Sequence, residues 1–408
     1  MKKPLLTIGA LTLSAALLGI LLHTHNSPSG PPSSISKAET VPAGGTLKSK
    51  VESMTAAGAG AAVGISLQRL PSRALTKGEI LEVIDQVMEV LRTGDPEAVK
   101  EALGRLDDVL AGKHHNAAAG IAAIVEFLKS GRDVRTGQAF IVGEGGMLTE
   151  ATTLRVKLMD RLGGLSREAG SAAAALEVAR EVLGRTGSAD EWALSMRNMA
   201  WLDPDSRGFL ADRVTAMLEY EPWRRNPSQG MLEAFDLIVH TGALNNVPEL
   251  SRLIAGEEPS LGRAASVALD RLAAAKPLEL TTMLNQQPGL LANMPLLRAD
   301  LVSRVDLGDV EQRQQAENYL ARPDITPEER EKFLSSLIQK GQFISHNLTT
   351  TSAPPENEDA AGARMEVLAS TVSGWLQDER FAAYRAELTH LGTTVNQIDD
   401  EINADRAR

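Results

Sequence analysis

Glu79–Leu110 reads EILEVIDQVMEVLRTGDPEAVKEALGRLDDVL, and its spacing decides the fold. Ile80, Ile84, Val87, Met88 and Leu91 fall on one face of a helix. Thr93-Gly94 interrupts that face and Asp95-Pro96 restarts it. An aspartate there can accept from the exposed N–H groups of the first turn, and a proline has no N–H to leave unpaired. Val99, Ala102, Leu103, Leu106, Val109 and Leu110 then repeat the face until Gly112. Working outward, a third helix carries Ile121, Ile124, Val125 and Leu128 and stops at Ser130-Gly131. Helices in quick succession, joined by short turns, make antiparallel pairs.

The same pattern continues. Gly143–Gly146 (GEGG) breaks a weaker segment. Helices are predicted over Leu148–Leu162, Arg167–Leu183 and Asp190–Leu202, and Asp203-Pro204 opens another to about Glu219. Ser228, Val247, Pro259, Pro277 and Asp309 mark further starts, and Thr326-Pro327 opens Glu328–Ile344. Ala139–Val142 is the one short β-like run, with no period-2 strand around it. The fold predicted is all-α, a multi-helix array of antiparallel helix pairs with its body at 75–348. A-L-x-R-L recurs at Ala102–Leu106 and Ala268–Leu272, with LMDRL at Leu158–Leu162, at spacings that make no fixed period. Pro259–Ala275 (PSLGRAASVALDRLAAA) has an early Arg, paired Ala and a following Leu, and Val247–Ala255 precedes it as a first helix. The stretch resembles the second helix of a HEAT repeat, and Asp95–Lys129 does so loosely. That resemblance implies a HEAT-like α-solenoid; a non-repeating helical bundle is the alternative.

Leu5–Leu22 (LLTIGALTLSAALLGILL) carries no charge and follows Lys2 and Lys3. As a helix rising about 1.5 Å per residue it spans roughly 27 Å, close to the hydrocarbon thickness of a bilayer. Residues 1–25 are therefore read as a single-pass anchor in a bacterial cell membrane, with the body in the periplasm or outside. The competing reading is a cleaved signal peptide, leaving a secreted or periplasmic protein. His23–Asn26 makes a poor cleavage site, while Ser36-Lys37-Ala38 and Val41-Pro42-Ala43 lie far downstream. Residues 26–74 include SPSGPPSSIS and AAGAGAAVG and are read as a disordered low-complexity linker. A second linker is predicted at 349–360, where Thr349–Asp359 reads TTTSAPPENED.

Composition excludes several chemistries. The 408 residues contain no Cys, so there is no disulfide, thiolate metal site or cysteine nucleophile. A formal charge of −11 argues against nucleic acid as a partner, and 3% aromatic content is low for a stacking surface. The histidines are His23, His25, His114, His115, His240, His346 and His390. Glu387–His390 has the E-x-x-H spacing of di-metal helices, but no second such pair exists. H-E-x-x-H, G-x-S-x-G, Walker A and G-x-G-x-x-G are all absent. Asn347-Leu348-Thr349 is a formal glycosylation sequon. No metal, cofactor or catalytic activity is predicted.

Two stretches remain as binding candidates. Trp192, Trp201, Phe209, Tyr220, Trp223 and Phe235 gather six of the fourteen aromatics, and Arg224 and Arg225 adjoin Trp223. Glu221–Ser228 reads as a proline-bounded loop whose Tyr220, Trp223, Arg224 and Arg225 form a contact surface. The alternative is that these rings fill the core between helix pairs. In residues 361–408, Met365, Leu368, Val372 and Trp375 mark one amphipathic helix. Phe381, Tyr384, Leu388, Leu391, Val395, Ile398 and Ile402 then follow an a/d seam, read either as a homodimer coiled coil or as a last helix docked on the body. The whole reads as a membrane-tethered extracytoplasmic scaffold that binds an unidentified protein or peptide. The alternative is an enzyme acting on an envelope polymer, built on an α/α toroid.

Overall fold

The first helix, α1 (Lys77–Thr93), illustrates how local signals set the boundaries. Thr76 takes the N-cap and its hydroxyl accepts the Glu79 N–H, while the Glu79 carboxylate accepts the Thr76 N–H in return. The predicted face, with Val83 and Val90 added, is buried, and Gly94 at φ 73° ends the helix. Asp95 caps α2 (Pro96–Leu110), accepting from Glu97 N and Ala98 N at 3.0 and 3.1 Å.

The computed structural model describes residues 73–111, 117–185, 187–338, 348–349 and 356–406, all inside one compact unit, Gln68–Arg408. The anchor or signal helix predicted at 1–25, and all of the 26–74 linker before Arg73, lie outside the described residues. Among the described residues no helix is long and apolar enough to cross a membrane.

After α3 (Ala117–Lys129) comes an antiparallel hairpin, β1 (Ile141–Val142) with β2 (Leu148–Glu150), pairing Ile141 with Glu150 and Val142 with Leu148. An isolated bridge between Arg135 and Thr153 extends it. There follow α4 (Leu154–Glu168), α5 (Ala173–Leu183), α6 (Ala189–Leu202) and α7 (Arg207–Glu219). Three short helices, α8 (Glu221–Arg225), α9 (Gln229–Glu233) and α10 (Asp236–Thr241), lead to α11 (Val247–Ile254) and α12 (Pro259–Ala275). Then come α13 (Pro277–Gln286), α14 (Pro295–Val302), α15 (Val310–Leu320), α16 (Pro327–Ile338), α17 (Glu358–Gln377) and α18 (Arg385–Arg406). Among the described residues the fold is all-helical apart from that hairpin, as the periodicity implies.

Packing is largely sequential. Helices α1 and α2, α5 and α6, α11 and α12, and α17 and α18 pack as neighbours. A second set of contacts skips one element: α1 with α3, α3 with α5, α4 with α6, α10 with α12, α12 with α14, α14 with α16, and α16 with α18. A helix that meets both its neighbour and the next but one buries two faces, which explains why Leu154–Ser166 is buried nearly all round.

Several predicted boundaries need correction. Leu148–Glu150 is strand, and α4 waits for Thr153, whose hydroxyl accepts Val156 N at 3.2 Å. Arg167–Leu183 is two helices in part, because Gly170 at φ 63° turns the chain before α5 starts at Ala173. Glu221–Arg225 is helix, not loop. Helix α16 is described to Ile338, and the rest of the span predicted to Ile344 lies outside the described residues. Of the second predicted linker, residues 350–355 lie outside the described residues, and its two ends are described. Thr349 is bonded to the body, and Asn357 caps α17, accepting Ala360 N at 2.8 Å.

The C-terminal seam begins in a 3₁₀ stretch, Glu379–Tyr384, and continues into α18. Phe381, Leu388, Leu391 and Val395 are buried, while Tyr384, Ile398 and Ile402 are half-buried. Helix α18 packs on α17 and α16 of its own chain; Phe381 meets Trp375 edge-on at 6.0 Å, and Arg330 lies over the Tyr384 ring at 3.5 Å.

Candidate functional site

Two consecutive left-handed glycines build one wall of the site. Gly145 at φ 66° and Gly146 at φ 78° close the β1–β2 turn, a conformation that L side chains resist. The turn is held from beneath by Arg197 on α6, which is wholly buried. Its Nη1 donates to Gly146 O at 2.7 Å and to Asp160 Oδ1 at 2.5 Å, and the same carboxylate oxygen accepts Leu148 N at 3.0 Å. Asn198 Oδ1 accepts from Arg197 Nη2 at 2.9 Å, and Asn198 Nδ2 donates to Met159 O at 3.0 Å. Burial pushes the Arg197 guanidinium below its ordinary pKa, and the Asp160 charge opposes that shift. The guanidinium groups of Arg197 and Arg167 lie over the Trp201 ring at 4.1 and 4.3 Å. Hairpin, α4 and α6 are thereby locked together around one aromatic ring.

Against this wall sits a bend of the chain, Leu348-Thr349. Leu348 has no exposed surface. Its carbonyl oxygen and the edge of the Trp201 ring occupy the space that a side chain on Gly146 would need. Asp236, the first residue of α10, accepts Thr349 N at 2.8 Å and Thr349 Oγ1 at 2.7 Å, both on Oδ2. The other oxygen of Asp236 accepts Arg271 Nη1 from α12 at 2.6 Å. The carboxylate is almost fully buried, and charged acceptors of this kind make strong hydrogen bonds. Beyond Asp236 and Arg271 a groove of about 310 Å³ runs between α9 and α12, lined by Gln229, Glu233, Phe235, Ser260, Arg263 and Val267. Arg263 and Gln229 are exposed along it.

Other buried charges tie helices together. Asp190 accepts Gly230 N at 3.0 Å and Thr152 Oγ1 at 2.8 Å, joining α6 to α9 and to the end of the hairpin. Glu329 accepts Arg298 Nε at 2.7 Å and the Tyr319 hydroxyl. Burial and that carboxylate push the Tyr319 phenol well above its usual pKa. Among the described residues no three His, Asp or Glu side chains gather as a metal site would need. His240 on α10 is half-buried, and burial followed by Arg207 lowers its pKa.

The aromatic cluster singled out in the sequence lies elsewhere. Trp223, expected at a contact surface, is buried, edge-on to Trp192 at 5.2 Å and to Tyr220 at 4.8 Å. Helix α8 turns it inward, because Pro222 starts a helical turn where a proline-bounded loop was expected. Tyr220 is half-buried. Arg224 lies 3.9 Å from both Glu221 and Glu249, and Arg225, with 76% of its side chain exposed, pairs with Glu221 at 2.9 Å. Phe209, the most exposed of the six, lies open on α7 with Arg213 over its ring at 5.3 Å. None of Tyr220, Trp223, Arg224 and Arg225 is among the residues lining the groove.

Asp236, Arg271, Gly146, Leu348 and Thr349 were not legible as a site. Three weak signals pointed at them: Gly143–Gly146 as a breaker, Arg271 inside A-L-x-R-L, and Leu348-Thr349 inside a sequon. Comparison of the chain with protein-family models and with curated proteins finds no match.

Proposed function

We propose that this chain is a membrane-tethered, extracytoplasmic helical scaffold whose body binds protein or peptide, built as a HEAT-like α-solenoid. The observation that carries the binding role is the groove between α9 and α12, one of whose lining residues, Asp236, already accepts the backbone N–H and hydroxyl of Thr349. Grooves that read a backbone N–H together with one side chain are a general means of peptide recognition. The next-but-one helix contacts support the repeat-like build, since stacked pairs bury a continuous core and leave a groove along the stack. The apolar run Leu5–Leu22 after Lys2 and Lys3 supports the tether. A non-catalytic role is supported by the duty of the buried carboxylates: Asp160, Asp236 and Glu329 each accept from an arginine that crosses to another helix. The last helix is read as a cap on the body rather than a dimer seam.

The test places a photo-crosslinking residue at Arg263, on the groove wall, in the full chain in membranes of the host cell. Adducts that disappear on protease treatment are expected. Adducts that resist protease but yield to glycan hydrolysis would transfer the groove to an envelope polymer and overturn the proposal.

A further inference from the structure

We draw no further inference here: the strongest candidate, the uncharged run Leu280–Leu297 around the turn between α13 and α14 with Leu296 exposed on its flank, is an apolar surface patch, and nothing in the structure shows what covers it.

Discussion

Arg197 and Asp160 show how much depends on a single buried pair. The guanidinium has no exposed surface and the carboxylate 2%, so neither charge can reach water if its partner is removed. Breaking such a pair by truncating one member costs about 3–5 kcal/mol, because a lone buried charge remains. Asp160→Ala is expected to lower stability by that amount in urea denaturation, and to free Leu148 N as well. Replacing both residues, Asp160→Leu with Arg197→Met, is expected to cost less than either single change; a fully additive loss would show that the pair is not coupled. A second contrast separates packing from recognition. Trp223→Ala removes a ring packed against Trp192 and Tyr220 and is expected to cost about 3–5 kcal/mol. Arg225→Ala, on an exposed side chain, is expected to change stability by no more than about 0.5 kcal/mol. The sequence placed both residues on one surface, since the spacing of a Trp-Arg-Arg run does not say which side chain a five-residue helix will turn inward.

Elements were legible where their signals were local. Asp95-Pro96, Ser228, Asp309 and Thr326-Pro327 each stand at a helix start, and the side chains of Asp95, Ser228 and Asp309 accept from the first turn as their chemistry requires. The hairpin was not legible, because strands of two and three residues are too short to show a period and its turn depends on two left-handed glycines. The α1 cap adds a pH dependence of determinable sign. The Arg73 guanidinium, then the Thr76 N–H and hydroxyl, hold the Glu79 carboxylate down to about 2 from an ordinary value near 4.5. A folded pKa below the unfolded one stabilises above the unfolded value and loses that contribution as pH falls. The first turn of α1 is therefore expected to fray as pH drops from about 4.5 toward 2, read from hydrogen exchange at the Glu79 and Ile80 amides. Glu79→Gln is expected to flatten that window; an unchanged profile would assign the fraying to other carboxylates.

At the scale of the whole molecule, what the sequence concealed are contacts between distant residues. Arg271 is 35 residues from Asp236, and Thr349 is 113, so no local pattern could have joined the three. The C-terminal seam is the converse case: its positions were legible, but periodicity cannot name the partner that an apolar stripe packs on. In the chain, Leu388, Leu391 and Val395 are buried while α18 lies on α17 and α16, and Val372 sits under Gly392, 3.5 Å from where a side chain there would begin. An apolar face covered from within has little left to offer a second copy. Leu388→Asp with Leu391→Asp puts two carboxylates into that interface without hydrogen-bond partners, which is strongly unfavourable. The pair of substitutions is expected to lower the melting temperature of the full chain by several degrees, and to leave the sedimentation coefficient of the folded protein independent of concentration, as in wild type. A wild-type coefficient that rises with concentration and falls in the variant, at unchanged melting temperature, would instead give the seam to a dimer.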